Sequence, residues 1–482
     1  MVFSSIIFLF YFLPIALLGY YGMTFSRKLQ NIWLLLVSLV FYAWGEPVFV
    51  FIMLGSVMFN WICGLFIDAT RDKNRLNKFA LIVGCAGNVL LLCIFKYTNF
   101  IIDNIYSIVG WKRLLDVPAI ALPIGISFFT FQAMSYIIDV YRDDAKVQKN
   151  PLDFALYVTF FPQLVAGPIV RYNSIAEQIL NRKTTFSMFS DGCTRFAIGM
   201  IKKIIISNNM AVIVDNVFSI TKAGTDNIAV PAILAWTSAI AYCFQLYYDF
   251  SGYSDMAIGL GKMFGFEFEE NFNHPFVAKS LREFMSRWHI SLSKWFAEYV
   301  YYPLGGSWVR NKDVMVRNLF VVWLLTGIWH GASWTFIAWG MGFFILILIE
   351  KVTDWENWKM PAVFKHFVTL IWAVILFTVF RAETIGQFLE MVKNMFALNQ
   401  NGFFSDTAIM IWKEYGIIFV FAIIFVMPVR NCLEQKFSEK KIPVIFRGIG
   451  AMAYIACLLF LSVACVVLLA KGGYNPFVYF NF

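Results

Sequence analysis

Residues 318–349 read NLFVVWLLTGIWHGASWTFIAWGMGFFILILI. As one helix at 1.5 Å per residue, this run would be about 48 Å long, against roughly 30 Å of bilayer hydrocarbon. Strong tilt absorbs part of the excess. A break at Gly327 or Gly331 absorbs more and leaves His330 at the break. Non-helical backbone at membrane depth is tolerated where it lines a cavity. The run therefore predicts a broken membrane helix whose His330 points into an internal, partly wet chamber.

The rest of the chain has the composition of a membrane protein. Of its 482 residues, 60% are hydrophobic, 19% aromatic and only 14% charged, whereas soluble domains carry about 25% charge. Apolar runs fall near 4–24, 31–45, 48–67, 79–98, 119–140, 153–170, 195–219, 229–249, 318–349, 367–380, 413–429 and 449–470. With roughly 20 apolar residues per span, this predicts an all-α polytopic protein with about 11–12 transmembrane helices and some re-entrant or interfacial ones. One integral-membrane domain, 1–482, is expected. The polar connection 250–317 should fold at the membrane surface.

The net charge of +9 comes from Lys and Arg grouped in short loops. In this setting the pattern points to membrane lipid headgroups and a phosphate-bearing cytosolic substrate, with no nucleic acid. Basic loops follow the first, third and fifth runs, at Arg27-Lys28, Arg71–Lys78 and Arg142–Lys146. They put the N-terminus outside, and Lys112 and Arg113 interrupt the alternation. The apolar start has no basic n-region and reads as a retained helix. The eight cysteines lack CxxC or zinc-ligand spacing and read as buried small hydrophobes.

An ionisable side chain at hydrocarbon depth marks function by default. The chain has four histidines, and two of them sit in Arg287-Trp288-His289-Ile290-Ser291 and Trp329-His330-Gly331-Ala332-Ser333-Trp334. Leu281, Phe284, Met285, Trp288, Leu292, Trp295, Phe296 and Tyr299 recur at helical spacing, with His289 at the edge of that stripe. His330 with His289 fits a general base and its helper, because neutral imidazole accepts a hydroxyl proton near neutral pH. Two interfacial histidines bonded to backbone fit the residue types equally well. His274, His289, His330 and His366 form no HxxH, HxxxH or HExxH pattern, so no metal is expected.

Gln245–Asp255 sets Asp249 and Asp255 beside Ser251 and Tyr253. These side chains either line a polar tunnel or belong to a helix start capped by Ser251 or Ser254. Pro162, Gly167 and Pro168 suggest a kinked or re-entrant element. Lys202 and Lys203 should snorkel to the interface or meet substrate phosphates. No nucleotide-binding glycine loop or GxSxG elbow appears.

Several motifs occur together and in order: Phe160–Ile169, Tyr248–Gly259, Arg287–Trp295, Tyr301–Gly306, Trp329–Trp334 and the tail Pro476–Phe480. In them the chain resembles the membrane-bound O-acyltransferase family, in its bacterial alginate O-acetyltransferase-like branch. It departs from that pattern at Met285-Ser286, where a Trp-Arg pair is expected.

The resemblance implies a helical fold around a central tunnel in a bacterial cytoplasmic membrane. It also implies a catalytic His330 with His289 at the earlier family position. Asp249, Ser251, Tyr253, Asp255, Arg287, Trp288, Ser291, Trp329 and Trp334 are the candidates to line the tunnel. The implied donor is a cytosolic acyl thioester, most simply acetyl-CoA. The implied acceptor is an extracellular polysaccharide, reached through an exported acyl-accepting or SGNH-type partner protein. Transfer of D-alanine from a carrier protein to teichoic acid is the near alternative. A proton-coupled polysaccharide or lipid transporter, with His330, Asp249 and Asp255 as relay, is the distant one.

Overall fold

The structure, a computed structural model, describes residues 1–110, 120–221, 230–307, 311–399, 401–429 and 444–478, with the backbone alone for 444–447. Lys112, Arg113, Cys432, Tyr479 and Phe480 lie outside the described residues. Every regular element among the described residues is helical. Seven helices have the length and hydropathy to cross a membrane: Phe49–Ala69, Asn74–Val109, Phe186–Ile220, Trp334–Val352, Ala362–Arg381, Asp406–Val426 and Gly448–Ala470. Arg27–Gly45, Ile126–Arg142, Ala232–Met263 and Lys312–His330 accompany them. Those four carry buried polar residues such as Gln30, Gln132, Asp249 and Asn318, which dilute their hydropathy while facing the protein interior.

Three expectations are revised. Residues 153–170 do not cross as a single span. The helix Pro151–Thr159 stops where Phe160 leaves helical geometry, one turn follows at Phe161–Leu164, and the chain continues without helix to Arg171. Asn31 donates to Asp153 before this segment and to Ile179 after it, at 3.0 Å each, so it enters and leaves at one end. A Cβ on Gly167 would lie 2.5 Å from the Gln163 Cα, which is why the return needs glycine. Backbone freed at the break is satisfied internally: the Phe161 amide donates to Ser38 Oγ and the Gln163 amide group to the Tyr157 carbonyl.

The second revision concerns Ala232–Met263, which is one unbroken 32-residue helix. Ser251 and Ser254 therefore sit in its interior and cap nothing, and the polar connection begins only at Phe264. This helix runs antiparallel to Phe186–Ile220, with backbone against backbone. A Cβ on Gly252 would lie 2.7 Å from the Gly199 carbonyl, and one on Gly259 2.6 Å from that of Gly192. The third concerns the thiols: Cys63, Cys243 and Cys465 are buried, but Cys93 and Cys457 are exposed on the apolar surface.

The basic loops gather at one end. Arg27 donates to the Arg182 carbonyl, Arg71 pairs with Asp143, and Arg171 pairs with Glu269 and Glu298. Arg142 donates to the Glu298 carbonyl and Lys294 pairs with Glu269. Elsewhere, Asp215 binds Arg381 and Tyr474, and Asn475 ties the C-terminal segment to Ser4.

The run 318–349 is a hairpin of two helices, Lys312–His330 and Trp334–Val352, broken at an extended Gly331. Its arms touch where a Cβ on Gly340 would meet the Trp323 carbonyl at 2.5 Å and the Gly327 Cα at 3.1 Å. Neither backbone can yield cheaply. Gly340→Val should lower stability by about 1–3 kcal/mol, read as a reduced melting temperature in detergent; an unchanged melting curve would refute this crossing.

Candidate functional site

Both histidines sit where a helix is interrupted. The helix Leu281–Arg287 begins at Ser280, whose hydroxyl accepts from the Glu283 amide at 3.0 Å. It ends at an extended Trp288, His289 takes a left-handed conformation (φ 43°), and Ile290–Phe296 follows. The expected unbroken stripe is therefore two short helices with His289 at the joint. A positive φ is uncommon outside glycine and persists only when its surroundings impose it. Here Asn271 imposes it. Its carbonyl accepts from the Ile290 amide at 2.9 Å, and its Oδ1 accepts from the Ser291 amide at 3.1 Å and the Ser291 hydroxyl at 2.9 Å.

His289 Nδ1 lies 3.1 Å from the same Oδ1. A backbone N–H can only donate, so the atom it reaches is the amide oxygen, and His289 Nδ1 must donate to it as well. Neutral His289 thus keeps its lone pair on Nε2, a buried atom without a hydrogen-bond partner among the described residues.

His330 is the last residue of its helix. Gly331 turns the backbone out, and the Ser333 hydroxyl starts the next helix by accepting from the Thr335 amide at 3.3 Å. Aromatic rings enclose the imidazole: Trp329, Trp339 and Phe380 have centroids 5.0, 4.8 and 5.2 Å away, each near perpendicular. Trp329 also stands 6.0 Å from His289, so its ring neighbours both imidazoles. Both histidines, with Trp288 and Trp339, line a cavity of about 530 Å³ whose wall also carries Arg282 and Lys351.

The other sequence candidates separate from this cavity. Asp249 is fully buried against Lys203 at 2.6 Å and accepts from the Val478 amide at 2.8 Å. Asp255 pairs with Arg195 and Lys202, both at 2.6 Å. Lys203 therefore meets a carboxylate inside the bundle and does not snorkel, while Lys202 pairs with Asp255 from a partly exposed position. Tyr253 stacks on Phe3 at 4.5 Å and contacts Phe477 at 4.8 Å, and Ser251 is buried in the same helix. Arg287 pairs with Glu283 at 2.9 Å. Ser291 secures Asn271 and accepts from the Ile169 amide at 3.0 Å, bringing the re-entrant segment against the site. Trp334 is exposed and donates to Asn104, away from both histidines.

Two site residues went unrecognised in the sequence. Asn271 gave no signal, because its role depends on a loop folding beside His289. Lys96 did give one: it is the single basic residue in the apolar stretch 79–110, and such a residue is a candidate by default. It is buried, donates to the Trp329 carbonyl and to Ser127 Oγ at 3.1 Å, and lies over the Trp329 ring.

Comparison with known proteins gives concordant results. A probable alginate O-acetylase from Pseudomonas aeruginosa is 42% identical over 404 residues, covering 82% of this chain and 75% of that protein. A peptidoglycan O-acetyltransferase from Helicobacter pylori is 36% identical over 434 residues, covering 83% and 80%. A teichoic acid D-alanyltransferase from Bacillus subtilis is 29% identical over 266 residues, covering 52% and 64%. Residues 125–380 match the family described as MBOAT, membrane-bound O-acyltransferase.

Proposed function

The chain belongs to the membrane-bound O-acyltransferase family and is an O-acyltransferase, and on that premise we propose that it carries an acetyl group from a cytosolic thioester to hydroxyls of a cell-surface polysaccharide, with His330 and His289 as its catalytic pair. The observation that carries this reading is two buried imidazoles lining one cavity, one of them held in a fixed tautomer. The end that gathers Arg27, Arg71, Arg142 and Arg171 faces the cytosol of a bacterial inner membrane and admits acetyl-CoA. The N-terminus lies outside, and an exported partner protein passes the acetyl group to the polymer.

In this mechanism, His330 takes the proton of the acceptor hydroxyl as its oxygen attacks the thioester carbonyl. The C–O bond forms, the resulting oxyanion collapses, the C–S bond breaks, and the imidazolium returns its proton to the leaving thiolate. The oxyanion needs donors. Neutral His289 cannot serve through Nε2, which holds a lone pair in the tautomer set by Asn271; it suits accepting from a neighbouring hydroxyl of the acceptor, because the reacting hydroxyl's one proton goes to His330. The Trp339 indole N–H, buried and without a partner among the described residues, suits the oxyanion. Asn271→Leu frees the His289 ring, and transfer should fall about 10–100-fold, as when the outer partner of a functional imidazole is lost. Initial rates in matched membranes check this, and wild-type rates would contradict the tautomer assignment.

Similarity to a teichoic acid D-alanyltransferase supports a second reading with the same mechanism and a D-alanyl carrier thioester as donor. The transporter reading loses its relay, because Asp249 and Asp255 are ion-paired and do not line the cavity. Membrane vesicles given labelled acetyl-CoA or a labelled D-alanyl carrier protein decide the donor. Acetate ester in alkali-labile linkage is the expected product. D-alanine ester would select the second reading, and label in neither ester would refute acyl transfer from these donors.

A further inference from the structure

The Lys312–His330 helix ends inside the bundle, so carbonyls of its last turn lack the amides of a following turn. At membrane depth each such acceptor must be satisfied by protein. Two side chains from a single π-helical turn, Cys93–Tyr97, do this: Lys96 donates to the Trp329 carbonyl and Tyr97 to that of Ile328 at 2.5 Å. The extra residue of a π-turn shifts the side chains that follow it, and such turns concentrate at functional sites. Lys96 also donates to Ser127 at the start of Ile126–Arg142, so one ammonium joins three membrane helices. Its nitrogen lies 5.6 Å from the Trp329 ring centroid.

We propose that Lys96, with Tyr97, is a positioning residue for acyl transfer: together they cap in trans the helix that ends at His330 and hold its imidazole in register with His289. A neutral donor would satisfy a carbonyl at far lower desolvation cost than a buried ammonium. What the cation adds is attraction to the negative end of the helix dipole, a positive potential at the turn that carries His330. Lys96 has no carboxylate partner among the described residues that would cancel this potential. The catalytic consequence rests on the function proposed above; the effect on His330 does not.

Lys96→Met keeps the stem and removes the charge. In purified protein it should lower kcat roughly 10-fold or more with an unchanged donor KM, less than loss of a direct oxyanion donor because it acts through Trp329. Nitrogen-15 NMR of labelled histidine gives a readout independent of turnover. With four histidines in the chain, the His330 signal is assigned by its disappearance in His330→Ala. It should move in Lys96→Met while those of His274 and His366 stay. Tyr97→Phe, which loses one hydroxyl, should move it in the same way and serves if Lys96→Met does not accumulate. An unmoved His330 signal in the variant that folds, or wild-type kcat in Lys96→Met at wild-type melting temperature, overturns the proposal. A moved signal in a protein whose wild type forms no ester leaves the clamp standing and refutes the proposed function instead.

Discussion

His330→Ala is expected to lower acyl transfer about 10²–10⁴-fold, the contribution of a positioned general base. Donor KM should change little, because the imidazole acts on the hydroxyl proton and not on the bulk of the thioester. The substitution also removes a ring packed among Trp329, Trp339 and Phe380, so the comparison must be made at equal protein level and on the folded fraction. His330→Gln, which fills more of that space, should be as inactive as the alanine variant. Activity in either variant near that of wild type would remove His330 from the chemistry.

The second large effect falls on stability. Asp249 and Lys203 are buried at 0% and 2% exposure, which leaves no water to solvate either one alone. Removing one member of such a pair costs about 3–5 kcal/mol, whereas replacing both with apolar residues of similar size is often neutral. Asp249→Leu should therefore sharply lower the melting temperature. It should also expose the C-terminal segment to protease, because the Val478 amide loses its acceptor while Lys203 is left with the neutral Pro476 carbonyl and Phe477 ring among the described residues. Asp249→Leu combined with Lys203→Met should recover most of the melting temperature and retain transfer. A proton relay through Asp249 predicts the opposite: the double variant would be stable and inactive.

Hydropathy located nearly every membrane helix, because lipid-facing apolar residues need only composition to be recognised. It mistook 153–170 for a span, since enclosed re-entrant backbone is as apolar as a lipid-facing helix; Pro162 and Gly167 carried the corrective signal. At the site, the sequence exposed His289 and His330 because both are ionisable groups in apolar surroundings. The break between 318 and 349 could be read from length alone.

The carboxylates of 245–255 were ambiguous for a different reason. Whether a buried Asp faces a tunnel or a lysine depends on which helix packs against it, and Lys202, Lys203 and Arg195 lie roughly fifty residues earlier in the chain. The left-handed His289 and its tautomer were out of reach, because they follow from Asn271 approaching across a loop.

Mass spectrometry of ester-linked acyl groups on the surface polymers of the source organism tests the central claim most directly. The comparison is between wild type and His330→Ala at matched membrane levels. The account requires O-acetyl to fall to background in the variant while polymer length and export stay unchanged. Unaltered esters accompanied by reduced export would contradict it and point to transport.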